Sequence, residues 1–173
     1  MYQHHIESIE NLKTYFRQKS EVIAIILDGS IVKGNARVDS DIDAIVVVTE
    51  EAYESLRRQN RLAEVIEGHC TYRGGYFDIK YKTKGILQRC ALKASEPTRN
   101  AYVKAQVVFT SDPEIPDLVN RISSYPEAER DEKIRCFNAN LQLNRGYFLH
   151  CVPEDNTYMR AILPKKSFTV YTG

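Results

Sequence analysis

The stretch that most constrains the fold is residues 25–48, IILDGSIVKGNARVDSDIDAIVVV. Two apolar runs that can each be buried as a strand flank a polar loop. Gly29 has no Cβ, so backbone can approach a bulky anionic ligand there, and Ser30 adds a hydroxyl and an N–H at the same place. Gly34 permits a second tight bend. The stretch predicts a strand, a turn at Gly29 and Ser30, a loop and a second strand.

Acidic residues open the second of these strands, at Asp39, Asp41 and Asp43. Residues i and i+2 of a strand face the same side, so Asp41 and Asp43 are expected to project together. Two bare carboxylates that close repel each other, and a divalent cation removes that repulsion. Mg²⁺ prefers a few carboxylates together with phosphate oxygens and water. The spacing therefore predicts a magnesium site at Asp41 and Asp43.

A third acid lies in a predicted β-hairpin formed by residues 65–72 and 76–82 around a turn with two glycines. The second arm, YFDIKYK, alternates apolar and polar residues. Its apolar residues share one face, which leaves Asp78 and Lys80 on the other. An acid in the middle of a strand is poor for a core but suitable for the lining of a metal site. Lys80 is expected either to contact phosphate or to offset the acids.

Taken together, Gly29-Ser30, a ten-residue spacer and Asp41-Ile42-Asp43 resemble the motif of the DNA polymerase beta-like nucleotidyltransferase superfamily. With Gly34 and Ser40, the form is similar to small bacterial members. These include the aminoglycoside and lincosamide nucleotidyltransferases and the minimal nucleotidyltransferases that pair with HEPN proteins.

This resemblance implies an α/β (α+β) nucleotidyltransferase fold, with a mixed β-sheet and flanking helices. It implies two Mg²⁺ ions, a nucleoside triphosphate donor and a third carboxylate on a later strand. Asp78 matches that carboxylate, as a metal ligand and as acceptor of the proton of the acceptor hydroxyl; the alternative is an isolated surface acid. Gly29 and Ser30 would hold the triphosphate. Lys33 and Arg37 would either contact phosphate or lie in a solvated loop.

Asp28 departs from the pattern of the small bacterial enzymes, which usually carry an apolar or aromatic residue before the Gly-Ser pair. A carboxylate beside a phosphate pocket would repel the triphosphate unless it points away or is paired. Arg37 and Lys33 are the partners that the sequence offers nearby.

Composition restricts the class of protein. A chain of 173 residues suits one domain, or one domain with a small appendage. The net charge of +1 argues against a nucleic-acid partner, and no apolar run is long enough for a membrane span. The polar N-terminus is unlike a signal peptide, and the four cysteines lack paired CxxC spacing. These features favour a cytoplasmic protein with reduced thiols.

The remaining elements are predicted from periodicity and capping residues. Helices are expected at residues 5–19, 50–60, 84–94 and 115–124, with a strand at 104–110. Thr49 and Thr83 are expected to cap two of these helices, and His4 and His5 to lie at a solvated helix end. A long helix follows Pro126, and another helical piece is predicted at 156–163.

Residues 1–125 are therefore predicted to form the nucleotidyltransferase domain, and residues 126–173 a short helical C-terminal segment. That segment either belongs to a minimal member of the family, or is completed by a second subunit, or is truncated. An apolar stripe along its long helix favours a homodimer through that helix.

Two functions follow from these observations. The first is metal-dependent transfer of a nucleoside monophosphate, most simply AMP from ATP, to a hydroxyl of an acceptor such as an antibiotic. The alternative is a partner-binding protein of the antitoxin-like minimal type with little or no catalysis.

Overall fold

The computed structural model describes the backbone of residues 1–151 and the side chains of residues 1–146. The strands in this range are β1 (Val22–Leu27), β2 (Ile42–Val48), β3 (Ala63–Glu67), β4 (Tyr76–Thr83) and β5 (Gln106–Thr110). The α-helices are α1 (Gln3–Arg17), α2 (Gly29–Lys33), α3 (Glu50–Arg58), α4 (Lys84–Leu92), α5 (Glu96–Tyr102), α6 (Ile115–Ser123) and α7 (Arg130–Cys151). None of these helices is both long and apolar enough to cross a membrane.

The five strands form one mixed sheet in the order β3-β4-β2-β1-β5. Strands β2 and β4 are parallel, and the other neighbouring pairs are antiparallel. The connection from β2 to β4 runs through α3 and β3, so the hairpin folds back and adds its second arm beside β2. The predicted mixed sheet with flanking helices is confirmed, and it places the acidic strand at the centre.

Both faces of the sheet are buried by helices. On one face, Leu12 and Phe16 of α1 pack with Ile25, Ile42 and Ile79 of three strands. On the other face, residues of α4, α5 and α6 pack against β1 and β2; they include Leu87, Tyr102, Ile115, Leu118 and Ile122. Apolar runs such as those of β1 and β2 are typical of strands covered on both sides.

Several predicted boundaries were wrong. Gly29 and Ser30 do not form a simple turn, because they begin the short helix α2. The first arm of the hairpin is β3, shorter than predicted and displaced toward the N-terminus, and residues 68–75 connect it to β4. Helix α5 was not predicted, although Ser95 caps it and Pro97 lies in its first turn. Its seven residues are too few to show helical periodicity.

The contacts divide the chain after residue 125 into two units. The second unit contains a 3₁₀ turn at Glu127–Glu129 and helix α7. Ile134, Phe137 and Leu141 of α7 are each about half exposed. The roles assigned above to the two parts of the chain, and a homodimer through this helix, stay predictions. The helical piece at residues 156–163 lies outside the described residues.

Capping by Thr83 is a testable part of this fold. The Thr83 hydroxyl accepts a hydrogen bond from the backbone N–H of Ile86, and the residue is 1% exposed. We expect Thr83→Ala to lower the free energy of unfolding by about 1 kcal/mol, the usual cost of a lost N-cap. Thr83→Ser keeps the hydroxyl and should lose less. Urea unfolding of both variants measures the difference, and equal losses would contradict the capping role.

Candidate active site

The three predicted acids meet at one end of the central strands. Asp43 lies in β2 directly opposite Asp78 of the parallel strand β4, and Asp41 immediately precedes β2. Each of the three is half-buried and offers a carboxylate oxygen, and these oxygens all lie within 4.8 Å of one another. The strand pairing therefore brings together residues that are 35 positions apart in sequence.

Like charges at this distance disfavour ionisation. The pKa of Asp43 is raised, mainly by burial and then by the neighbouring Asp41 carboxylate, with Asp78 adding to the effect. Lys80 opposes the shift. Its ammonium donates to Asp78 Oδ2 at 3.0 Å and to Asp43 Oδ1 at 3.4 Å. Of the two roles predicted for Lys80, the structure shows that it offsets the acids.

The donor set fits a hard divalent cation. Carboxylate oxygens are the ligands that Mg²⁺ prefers, and two oxygens on one such ion are at most about 4.2 Å apart, given a Mg–O distance of ~2.1 Å. The carboxylate oxygens of Asp41, Asp43 and Asp78 lie within 4.8 Å of one another, so none of their separations exceeds that span by much. Two of these carboxylates already hold a cationic group, the Lys80 ammonium. The chemistry of this site is thus suited to bind positive charge.

Asp28 directly follows β1, and its backbone N–H donates to the Asp43 carbonyl at 3.1 Å. Its side chain is 7% exposed, and Oδ1 has no hydrogen-bond partner among the described residues. Burial raises the pKa of Asp28 to about 6, and Lys80 is the cation that lowers it most. The partners predicted from sequence were therefore incomplete: Lys33 contributes a weaker effect, and the main counter-charge comes from β4.

The backbone of Gly29 lies directly against the side chain of Asp43. It has a φ of +72°, and a Cβ at this position would lie 1.9 Å from Asp43 Oδ2. The space that a side chain would need is thus filled by the Asp43 carboxylate. Ser30 follows in the first turn of α2 and is half-buried. The absence of a Cβ at residue 29 lets the loop lie directly against the acids.

The two predicted phosphate-contacting cations lie in different surroundings. Lys33 is half-buried in the last turn of α2, where its carbonyl accepts from Lys104 Nζ at 3.4 Å. The Arg37 side chain is 82% exposed and pairs with Asp39 at 3.3 Å. The structure therefore joins Arg37 to a neighbouring acid of the solvated loop. Phosphate contact by Lys33 or Arg37 stays a prediction.

The loop before Asp41 is held by residues that sequence reasoning did not assign to the site. The Tyr72 hydroxyl donates to the Ser40 carbonyl, and His4 Nε2 lies 2.9 Å from the Val38 carbonyl. His5 is fully buried and packs edge-on against Tyr72, so its predicted solvated position was wrong. These contacts link α1 and the 68–75 connection to the loop, and no local sequence pattern shows them.

Tyr76, at the start of β4, lies near Asp41. The Asp41 charge raises the pKa of the Tyr76 phenol, because a nearby carboxylate favours the protonated form. The alternation of residues 76–82 was the signal that could have identified it, since that alternation puts Tyr76 on the face of Asp78.

The sequence of residues 9–98, just over half of the chain, matches the family described as "Nucleotidyltransferase domain". The chain belongs to this nucleotidyltransferase family. The match contains all seven residues predicted to form the site, from Gly29 to Asp78. The resemblance inferred from the Gly-Ser and Asp-Ile-Asp motif is confirmed.

Two solved structures align with this chain at low sequence identity. A nucleotidyltransferase-like protein from Exiguobacterium sibiricum aligns with a TM-score of 0.45 and 13% identity, over 87% of this chain and 49% of that protein. This chain thus spans about half the length of that nucleotidyltransferase-like protein. A toxin–antitoxin with AMP-PNP aligns with a TM-score of 0.37 and 14% identity, over 80% of this chain and 98% of that one. No curated protein sequence matches this chain.

Gly29 offers a test of the close approach, with Gly34 as a matched control. Both glycines have positive φ, but a Cβ on Gly34 would meet nothing within 4 Å. We expect Gly29→Ala and Gly34→Ala each to cost about 1–2 kcal/mol of stability through backbone strain, and Gly29→Ala to cost more than Gly34→Ala because its Cβ also clashes with Asp43. Only Gly29→Ala should displace Asp43 and weaken Mn²⁺ binding, by about tenfold or more, as disturbed metal ligands usually do.

Isothermal titration with Mn²⁺ measures this difference, and urea unfolding measures the shared strain. Equal Mn²⁺ affinity in the two alanine variants would show that Gly29 matters only for the backbone conformation.

Proposed function

We propose that this protein transfers a nucleoside monophosphate, most simply AMP from ATP, to a hydroxyl group of an acceptor. The observation that supports this most is the convergence of Asp41, Asp43 and Asp78 within 4.8 Å, beside the Gly29-Ser30 segment. In the family to which the chain belongs, that arrangement binds a nucleoside triphosphate. An acceptor such as an antibiotic is part of the proposal, as is a cytoplasmic location.

In this proposal Asp41, Asp43 and Asp78 hold Mg²⁺, with two ions as the expected number. Bound Mg²⁺ would supply neutralising charge for the phosphate oxygens of the donor. Ser30 would orient the triphosphate through its hydroxyl and N–H, with Lys33 and Arg37 as further phosphate contacts. Asp78 would accept the proton of the acceptor hydroxyl. The acceptor oxygen then bonds to the α-phosphorus, and the bond from that phosphorus to the leaving pyrophosphate breaks.

The alternative, a partner-binding protein without catalysis, is less well supported by the geometry. Three half-buried carboxylates that face one another cost folding free energy, and burial together with the charges of Asp41 and Asp78 raises the pKa of Asp43 accordingly. A surface that only binds another protein has no need for them. Thermal shift with each of four nucleoside triphosphates, with and without Mg²⁺, followed by acceptor trials, separates the two functions. A pure partner-binding protein would give no product with any acceptor.

The first test removes charge from the metal ligands. Asp41→Asn and Asp43→Asn keep the shape of the side chain but lose the charge that would bind Mg²⁺. We expect each to abolish transfer and the Mg²⁺-dependent thermal shift. The metal-free protein should be no less stable, because each change removes one of the repelling charges.

Asp39→Asn is the matched control for these variants, since Asp39 is 66% exposed and pairs with Arg37 in the same acidic segment. It should leave transfer near the wild-type rate. Wild-type turnover in Asp41→Asn or Asp43→Asn would overturn the proposed metal site.

The second test concerns the proposed base. Asp78→Asn should keep most triphosphate binding, because Asp41 and Asp43 remain to hold Mg²⁺. Transfer should fall by about 10²-fold or more, the usual scale for a positioned general base. Separate measurement of ATP affinity and of single-turnover rate distinguishes the two effects. An unchanged rate in Asp78→Asn would assign the proton to another acceptor.

A further inference from the structure

The Lys80 ammonium lies between two of the carboxylates of the candidate site. It is within 3.4 Å of Asp43 Oδ1 and 3.0 Å of Asp78 Oδ2, two of the three acids that converge. A divalent cation on the same oxygens would lie a few ångströms from this ammonium, and two cations that close repel strongly. Lys80 and a metal ion therefore compete for Asp43 and Asp78.

Strand pairing offers Lys80 a second acceptor, because Asp28 is hydrogen-bonded through its backbone to Asp43, which lies opposite Asp78. Asp28 is nine-tenths buried, and its Oδ1 has no hydrogen-bond partner among the described residues. A buried, unpaired carboxylate oxygen is costly, so it gains from any cation that reaches it. Lys80 already exerts the strongest favourable charge effect on Asp28, and Asp28 in turn favours the charged form of Lys80. The long, flexible lysine stem allows the ammonium to change partners while its Cα stays in β4.

We propose that Lys80 has two positions: between Asp43 and Asp78 in the metal-free protein, and against the buried Asp28 carboxylate when metal is bound. This inference rests on the metal site of the proposed function and extends it. The movement frees Asp43 and Asp78 as ligands, and it frees Asp78 to accept a proton. It also pairs Asp28 at the time when an unpaired carboxylate there would repel the triphosphate.

Two simpler roles for Lys80 give different expectations. A fixed counter-ion that holds Asp43 and Asp78 in place would make metal binding weaker when it is removed, because the ligands would lose their alignment. A cation that acts only through its charge would make the effects of Lys80 and Asp28 independent of each other. In the two-position scheme Asp28 acts on the metal through Lys80, so the effect of changing Asp28 depends on the presence of Lys80.

The experiment measures Mn²⁺ affinity without nucleotide, from the electron paramagnetic resonance signal of free Mn²⁺. The variants are Lys80→Met, Asp28→Asn and the double variant. Lys82→Met is the matched control, since Lys82 lies two residues further along the same face of β4, about 6.6 Å from Lys80 along the strand. Lys80→Gln is a second neutral replacement, and thermal unfolding checks that each variant is folded.

We expect Lys80→Met and Lys80→Gln to bind Mn²⁺ about tenfold more tightly or better, because a competing unit charge within ~4 Å is removed. Lys82→Met should change the affinity by less than about threefold, as expected for a charge beyond the contact range. Asp28→Asn should weaken Mn²⁺ binding by about fivefold or more when Lys80 is present, and by less than about twofold with Lys80→Met. That difference is the coupling between the two residues.

Other outcomes overturn the proposal. Unchanged or weaker Mn²⁺ binding in Lys80→Met shows that Lys80 does not compete with the metal. Equal effects of Asp28→Asn in both backgrounds show that Lys80 does not transfer to Asp28. A crystal structure with Mn²⁺ bound and Lys80 Nζ still hydrogen-bonded to Asp78 would also show that Lys80 does not transfer to Asp28.

These failures are distinct from failure of the proposed function. If the wild type binds no Mn²⁺, or binds it equally well after Asp41→Asn and Asp43→Asn are combined, the metal site itself is wrong. If binding depends on Asp41 and Asp43 but not on Lys80, only the two-position scheme is wrong.

Discussion

The pairing of β2 with β4 is the interaction on which the candidate site depends. These strands are parallel and in a register that sets Asp43 opposite Asp78. Like charges do not bring themselves together, so the register must come from the apolar neighbours. Ile42, Ala44, Phe77 and Ile79 flank the two acids and are at most 1% exposed. A slip of β4 by one residue against β2 would turn Phe77 and Ile79 toward the opposite face, and their burial therefore fixes the position of the Asp78 carboxylate opposite Asp43.

The parts of the fold and of the candidate site that could be predicted are those whose sequence pattern is local. The alternation of residues 76–82 and the spacing of Asp41 and Asp43 are local patterns, and both led to the observed arrangement of the three acids. The start of α2 at Gly29 was not predicted, because five residues are too few to show a helical period. The burial of His5 depends on Tyr72, far along the chain, and no pattern within α1 could have shown it.

The loop that carries Ser40 and leads to Asp41 also combines a local sequence pattern with contacts from distant parts of the chain. Its sequence is polar and glycine-containing, as expected for a solvated loop, and Arg37 and Asp39 indeed pair at the surface. Its carbonyl groups, however, accept hydrogen bonds from Tyr72 and lie close to His4. A loop held at its backbone can tolerate variable side chains and still present Asp41 in one position. The rigid part of the site therefore extends into α1 and the 68–75 connection.

A positive charge on β4 explains how the chain can carry a buried acid at residue 28. Asp28 adds one negative charge to the three converging carboxylates, and Lys80 adds one positive charge that contacts Asp43 and Asp78 and interacts electrostatically with Asp28. The pair leaves the net charge of the site equal to that of the three acids alone. The acid at residue 28 thus has its main counter-charge on a different strand, which strand pairing and not sequence proximity brings near it. Because burial of an unpaired charge is far more costly than burial of a paired one, the positive charge of Lys80 lowers the cost of the buried Asp28 carboxylate. Replacing either residue alone would change the electrostatic balance of the whole site.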